Sequence, residues 1–159
     1  MKSISNVRST VTGIAFGALL FVTAGCEKEE VGPRMLIEDT DGLDISLEWS
    51  TGRSIEQAKD EINIDLYLIK GRRTIQASVT SDFEYIELLS NEADGEYDLR
   101  VRYTNITRRG TFLFNINGKS RGRTLRFSGE VHPIEQSEFQ TALLRIHKSG
   151  DEFSIVQLD

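Results

Sequence analysis

Hydrophobic and polar residues alternate along most of the chain from residue 43 onward. Leu43, Ile45, Leu47 and Trp49 occupy every second position of one segment, and the positions between them are polar. This period of two is typical of a strand with one face in a core and the other in water. Strands are predicted in eight further segments, which span residues 62–68, 74–80, 83–89, 96–103, 111–117, 124–131, 142–147 and 153–158.

Glycine-containing dipeptides punctuate these segments. They are Lys70-Gly71, Asp94-Gly95, Asn117-Gly118 and Ser149-Gly150. Asn-Gly and Asp-Gly favour hairpin turns because they adopt positive φ angles readily. About eight to nine short strands with turns at such intervals predict an all-β fold, an antiparallel β-sandwich. One short helix is predicted over residues 54–62, where Ser54 and Gln57 resemble a capping box.

The N-terminal segment has the layout of an export signal. Lys2 and Arg8 precede an uncharged and largely apolar run from Val11 to Gly25. A bilayer-spanning helix needs roughly 20 apolar residues, and this run is shorter. The arrangement therefore predicts a secretory signal peptide over residues 1–25.

The residues at the end of this run, Thr23-Ala24-Gly25-Cys26, resemble the lipobox of bacterial lipoproteins, with Thr23 in place of the usual Leu. The resemblance implies cleavage before Cys26, a diacylglyceryl group on its thiol and an acylated new N-terminus. Several acyl chains anchor a protein stably in a membrane, whereas a single chain does not. The alternative is ordinary signal cleavage, which leaves the only cysteine of the chain as a free thiol.

The residues after the cysteine, Glu27-Lys28-Glu29-Glu30, resemble the export signal that sends lipoproteins of Bacteroidota-type bacteria to the cell surface. This likeness implies a lipid-anchored protein of the outer membrane that is exposed on the cell surface. The alternative is a charged tether that holds the protein on the periplasmic face. The predicted organisation is a signal peptide at 1–25, a lipidated tether at 26–42 and a β-sandwich domain at 43–159.

Three short strand motifs carry a second resemblance. Leu47-Glu48-Trp49-Ser50, the segment Ile64-Asp65-Leu66-Tyr67-Leu68 and the later Gly95-Glu96-Tyr97 are similar to motifs of the pre-peptidase C-terminal type of Ig-like β-sandwich. This type is an accessory module of secreted bacterial proteins. The likeness implies a non-catalytic role, although a fold by itself does not fix a function.

An acidic run precedes the first predicted strand. Asp39, Asp41 and Asp44 flank Gly42, and calcium prefers several carboxylate oxygens on a glycine-containing loop. An EF-hand register that ends at Glu48 fails because it places Ile37 at the first ligand position. Calcium at this loop is one hypothesis, and a solvated acidic loop is the alternative. No other cofactor is predicted.

Charge is distributed unevenly along the chain. The net charge of −6 includes 12 acidic and 4 basic residues between Glu27 and Asp65, and then 8 basic and no acidic residues between Arg100 and Arg126. The arginines of the second segment are Arg100, Arg102, Arg108, Arg109, Arg121, Arg123 and Arg126. Guanidinium groups match phosphate, sulfate and uronate, so this segment predicts binding of an anionic glycan. The alternatives are cross-strand ion pairs and docking to an envelope protein.

Catalytic motifs are absent from the sequence, which contains no G-x-S-x-G, H-E-x-x-H or P-loop pattern. An export signal and few aromatic residues among the arginines argue against nucleic acid as a partner. Five aromatic residues could form a sugar-stacking platform if they are exposed: Trp49, Tyr67, Tyr85, Tyr97 and Tyr103. Alternation places Trp49, Tyr97 and Tyr103 in the core and Tyr67 on a polar face. The sequence thus predicts a non-enzymatic, lipid-anchored binding or accessory module of the cell envelope, or else a structural component of an envelope complex.

Overall fold

The computed structural model describes residues 35–134 and 140–158. The predicted signal peptide and the predicted lipidation site, Cys26, lie outside the described residues. Ten strands and one helix follow one another along the chain. They are β1 (Met35–Glu38), β2 (Gly42–Ser50), α1 (Ile55–Glu61), β3 (Ile62–Lys70), β4 (Arg73–Ser78), β5 (Glu84–Leu89), β6 (Gly95–Ile106), β7 (Gly110–Gly118), β8 (Thr124–Val131), β9 (Thr141–Ser149) and β10 (Glu152–Gln157).

The strands form two antiparallel sheets. The six-stranded sheet has the order β1-β10-β9-β6-β3-β4, and the four-stranded sheet has the order β5-β2-β7-β8. The sheets enclose one hydrophobic core, in which Tyr97, Phe114 and Phe153 are fully buried. The predicted all-β antiparallel sandwich is confirmed. Its core includes the residues that the alternating pattern selects, such as Leu43, Ile45 and Leu47, because successive side chains of a strand point to opposite faces of its sheet.

The predicted helix is also confirmed. Ser54 is the N-cap of α1, and its hydroxyl accepts a hydrogen bond from the backbone N–H of Gln57 at 3.3 Å. Ala58 is the buried residue of this short helix, which leads directly into β3. The described part of the chain holds no helix with the length and apolar character needed to cross a membrane.

The predicted tether is wrong at its C-terminal end. The strand β1 lies within residues 26–42 and pairs with β10, and Ile37 enters the core with no exposed surface. Within the described residues the sandwich therefore has ten strands, and it includes Met35–Glu38, which precede the predicted start at residue 43. A strand of four residues is too short for alternation to distinguish it from an extended linker.

The turn predicted at Asn117-Gly118 is misplaced. Both residues belong to β7, and the chain turns later, at Gly122, which has a φ of 66°. Gly118 serves close packing instead, since an added Cβ would lie 2.8 Å from the Oδ2 atom of Asp39 and 3.1 Å from Ile37. The Gly71 and Gly150 turns are confirmed, and each of these glycines has a positive φ.

Candidate functional site

The seven candidate arginines do not form one surface. Arg100 and Arg102 lie on β6 in the six-stranded sheet, whereas Arg126 lies on β8 in the four-stranded sheet. The remaining arginines belong to the two turns that flank β7. Since β7 has nine residues, these turns are separated by about 26 Å at roughly 3.3 Å per residue. The arginines of the predicted basic segment are therefore close together in the sequence but are distributed over two sheets and two separate turns.

The outer face of the six-stranded sheet pairs its arginines with carboxylates. Arg102 donates from Nε to Oδ2 of Asp65 at 2.9 Å, and its second contact to the same oxygen comes from Nη2. Asp65 is 2% exposed, and it also accepts a hydrogen bond from the hydroxyl of Tyr67 at 3.2 Å. Tyr67 faces outward as predicted but is buried, and burial raises the pKa of its hydroxyl. This cluster is a cross-strand ion pair, which was the alternative interpretation of the arginine pattern.

Arg100 is neutralised on the same face. Its Nη2 atom donates to Oδ2 of Asp98 at 2.9 Å, and Arg145 of β9 donates from Nε to Oδ1 of Asp98, also at 2.9 Å. Burial alone would raise the pKa of Asp98, but the two guanidinium groups lower it overall. The carboxylate thus binds two arginines, and neither Arg100 nor Arg102 offers an uncompensated charge to a ligand.

The arginines of the turns differ among themselves. Arg109 binds Glu130, and Arg121 lies 3.7 Å from Glu38 in an exposed pair. Exposed pairs of this kind contribute little to stability. Within residues 35–134 and 140–158, Arg108 and Arg123 have no ion pair.

The acidic run around Gly42 directs its carboxylates to different partners. Both carboxylate oxygens of Asp39 accept hydrogen bonds from backbone N–H groups: Oδ1 from Asp41 at 2.9 Å and Gly42 at 3.2 Å, and Oδ2 from Ser120 and Arg121 at 2.8 Å each. Asp44 is engaged elsewhere, with Tyr85 and Lys119. Asp39, Asp41 and Asp44 form no group that could hold a metal ion, and no such group occurs elsewhere in the described residues.

The outer surface of the four-stranded sheet has a different character, and we call it the polar face. Its side chains are Tyr85 and Glu87 of β5, Asp44, Ser46 and Glu48 of β2, Asn115 and Asn117 of β7, and Thr124, Arg126 and Ser128 of β8. The pairing register places Tyr85, Ser46, Asn115 and Arg126 side by side in one row across all four strands, which we call the central row. Asn115 and Ser46 are within 3.5 Å of each other through Nδ2 and Oγ.

Tyr85 begins the central row with an exposed and anchored ring. The residue is 52% exposed, and its hydroxyl donates to Oδ1 of Asp44 at 2.6 Å. Lys119 binds both Asp44 and Glu87, so the carboxylates that hold the hydroxyl are themselves held. The hydrogen bond to Asp44 and burial of the hydroxyl raise the pKa of Tyr85 to about 12. The phenol therefore stays neutral, and its flat apolar ring is presented to solvent in a fixed position.

Arg126 ends the central row at the free edge of the sheet. Its side chain is exposed, and it forms no ion pair or hydrogen bond with a described residue. Its neighbours on the polar face are Asn115 across the strand pair and Thr124 and Ser128 along β8, all of them uncharged. Three candidate arginines lie in strands, and Arg126 is the one among them that has no carboxylate beside it on its face of the sheet.

A shallow cavity of about 210 Å³ continues the polar face beside the central row. Its lining includes Glu48, Ser50, Thr111 and Leu113, the outward residues that follow Ser46 and Asn115 along β2 and β7. A second cavity, of about 280 Å³, lies between the ends of β6 and β8 and is lined by Tyr103, Ile106 and residues 130–134. Trp49 and Phe112 also line the first cavity, so it adds a depression of mixed polar and apolar character beside the surface that carries Tyr85 and Arg126.

Comparisons with known proteins give no further guide to function. No family model matches this chain, and no curated protein or solved structure matches it either. The functional argument therefore depends on the residues of the polar face.

Two residues of this face, Ser46 and Asn115, were not among the predicted site residues. Tyr85 was named among the aromatic residues that could stack on a sugar if exposed, but it was not assigned to a face. The signal was present for Tyr85, because it alternates with Ile86 and Leu88 and must therefore face away from the core. Ser46 and Asn115 could not be found in this way. Their proximity depends on the pairing of β2 with β7, which are far apart in sequence.

Proposed function

We propose that this chain is a lipid-anchored protein of the cell envelope whose β-sandwich is a non-catalytic glycan-binding module, with the polar face as its binding surface. The observation that carries the proposal is Tyr85, whose ring is 52% exposed while its hydroxyl is tied to Asp44. An aromatic side chain that is exposed and held in place can stack on the apolar face of a sugar at a small entropic cost.

The surroundings of Tyr85 supply what a sugar needs besides stacking. Ser46, Asn115 and Asn117 provide hydroxyl and amide groups that both donate and accept hydrogen bonds, which matches the hydroxyl groups of a carbohydrate. These side chains lie on neighbouring strands of one sheet, so their positions are set by a rigid scaffold. Polar groups spread across four strands suit an extended polymer better than a small compact ligand.

The anchoring part of the proposal rests on the sequence around Cys26, through its likeness to a lipobox. Replacement of Cys26 by Ser removes the sulfur that would carry the lipid. We expect the Cys26→Ser variant to move from the membrane fraction to the soluble fraction of the cell envelope. A variant that remained with the membranes would show that the lipobox interpretation is wrong.

The binding part is tested with Tyr85→Ala and Tyr85→Phe. Retention of the folded mature protein is measured on a panel of immobilised neutral and acidic polysaccharides. Removal of an aromatic anchor from a binding surface costs about 2 kcal/mol, which is roughly thirtyfold in affinity. We expect Tyr85→Ala to lose retention on the polysaccharide that the natural chain binds, whereas Tyr85→Phe keeps the ring and most of the affinity.

Melting temperatures of both variants serve as the control for folding. Both changes remove the hydrogen bond to Asp44, so each variant should lose about 1 kcal/mol of stability and remain folded. If no polysaccharide of the panel is retained, or if Tyr85→Ala binds as well as the natural chain, the polar face is not a glycan-binding surface.

A further inference from the structure

We propose that the glycan bound at the polar face is acidic, that Arg126 binds its carboxylate or sulfate group, and that Tyr85 stacks on a sugar farther along the same polymer. This inference rests on the proposed glycan-binding function and adds to it the class of ligand and its direction across the sheet.

The first argument is the uncompensated charge of Arg126. Arg100, Arg102 and Arg109 each bind a carboxylate of this chain, whereas Arg126 has only uncharged neighbours on its face. A guanidinium group offers a planar set of donors that fits a carboxylate or sulfate with two parallel hydrogen bonds. Its free donors therefore point to an oxyanion supplied from outside the protein.

The second argument is the opposite character of the two ends of the central row. At the Tyr85 end, Asp44 and Glu87 share a single cation, Lys119, and so keep an excess of negative charge. An acidic group would be repelled there and attracted at the Arg126 end. The charge difference gives an acidic polymer one preferred orientation, with its acidic group on β8.

The third argument is distance. Tyr85 and Arg126 lie on the two outer strands of the sheet, three strand spacings apart. At about 4.8 Å per spacing, their Cα atoms are about 14 Å apart. Ser46 and Asn115 fill the interval with uncharged hydrogen-bonding groups. One ligand must be several sugars long to reach both ends, which selects a polysaccharide segment rather than a monosaccharide.

The test compares probes that differ only in charge. Oligogalacturonate is paired with its methyl ester, and sulfated dextran oligomers are paired with unmodified dextran oligomers of the same length. Affinities of the mature protein for all four probes are measured by calorimetry at low salt. We expect the acidic member of at least one pair to bind more tightly than its neutral partner, and the preference to weaken as salt is added.

The deciding variants are Arg126→Gln and the matched control Arg108→Gln. Arg108 is also exposed and has no ion pair with a described residue, but it belongs to the turn between β6 and β7, away from the central row. We expect Arg126→Gln to lower the affinity for the acidic probe by about tenfold, as loss of a charge-assisted pair does, and to leave the neutral probe unchanged. Arg108→Gln should change neither.

The outcomes separate the inference from the proposed function. If the neutral probes bind as well as the acidic ones, or if both arginine variants have the same effect, Arg126 does not select an acidic ligand. Binding that stays sensitive to Tyr85→Ala in that case preserves the proposed function. A preference confined to the galacturonate pair identifies a carboxylate, and one confined to the dextran pair identifies a sulfate.

Discussion

Two buried carboxylates at different places in the sandwich have opposite environments. Asp39, at the turn between β1 and β2, has no exposed surface, and four backbone N–H groups donate to its two oxygens. Glu84, at the start of β5, is 1% exposed. Its Oε1 atom accepts hydrogen bonds from the N–H and the hydroxyl of Thr80, while Oε2 has no hydrogen-bond partner.

The pKa values follow from this difference. Burial raises the pKa of both carboxyl groups, because a charged group loses its hydration. At Asp39 the hydrogen bonds from the backbone of Arg121, Asp41 and Ser120 outweigh burial and lower the pKa to about 2. At Glu84 burial dominates and the pKa is raised. The two side chains are alike in having almost no exposed surface, yet the hydrogen bonds at Asp39 favour the charged form and burial at Glu84 favours the neutral form.

The two carboxylates also differ in the segments of the fold that they connect. Asp39 follows β1 and links it to the start of β2 and to the turn after β7, because its carboxylate accepts hydrogen bonds from N–H groups of both of these segments. Gly118 leaves the space that this carboxylate occupies. At Glu84 the hydrogen bonds from Thr80 and Ser78 do not outweigh burial, so its charged form is disfavoured.

The largest expected effect is the removal of Asp39. In Asp39→Ala, four backbone donors lose their acceptors, and each buried unsatisfied group costs about 1–3 kcal/mol. We expect the free energy of unfolding to fall by about 4 kcal/mol, measured by urea denaturation at pH 7. The control is Asp41→Ala, because Asp41 is exposed and contributes only its backbone N–H. A similar loss in both variants would mean that general acidity of the loop, rather than the carboxylate of Asp39, is what matters.

A smaller loss is expected at Asp65, a third buried carboxylate. It has one charged partner, Arg102, and the Arg102 side chain keeps 40% of its surface exposed. In Asp65→Asn the guanidinium can turn toward water, so we expect a loss of about 2 kcal/mol rather than the full cost of a stranded buried charge. The double variant with Arg102→Met should cost less than the sum of the two single changes. Simple additivity would show that the two side chains are not coupled.

Much of the fold could be predicted because alternation is a local property. Leu43, Ile45, Leu47 and Trp49 face the core in the structure as their spacing requires. The nine strands so predicted are all present. The exception is β1, whose four residues are fixed by pairing with β10 at the far end of the chain, a contact that no local pattern contains.

The candidate site was harder to predict than the fold, because the role of each charged residue depends on its partners on neighbouring strands. The sequence shows seven arginines close together, but only the fold shows that Arg102 faces Asp65 and that Arg126 faces Asn115. The acidic run likewise suggests a metal loop until the N–H groups of Ser120 and Arg121 are seen to reach Asp39. Charge and residue type were readable from the sequence, whereas pairing was not.

The smallest expected effect is a gain, and it comes from Glu84. Glu84→Gln keeps an acceptor for Thr80 and removes a charge whose Oε2 atom has no partner. We expect the free energy of unfolding to rise by about 1 kcal/mol at pH 8, because replacement of an uncompensated buried charge by a neutral group relieves its desolvation. The matched control is Glu87→Gln, whose carboxylate is bound by Lys119 and which should lose stability or stay unchanged.

The pH dependence gives the sign of this last effect. The pKa of Glu84 is raised above its ordinary value of 4.5, so the folded state binds the proton more tightly than the unfolded state does. The resulting stability is present below pH 4.5 and is lost as the pH rises through the raised pKa. Asp39 acts in the opposite sense, because its stability is present above its ordinary pKa of 3.8 and is lost as the pH falls toward 2. The gain of Glu84→Gln should therefore shrink between pH 8 and pH 4, and a gain that stayed constant over this range would show that Glu84 does not titrate as a desolvated acid.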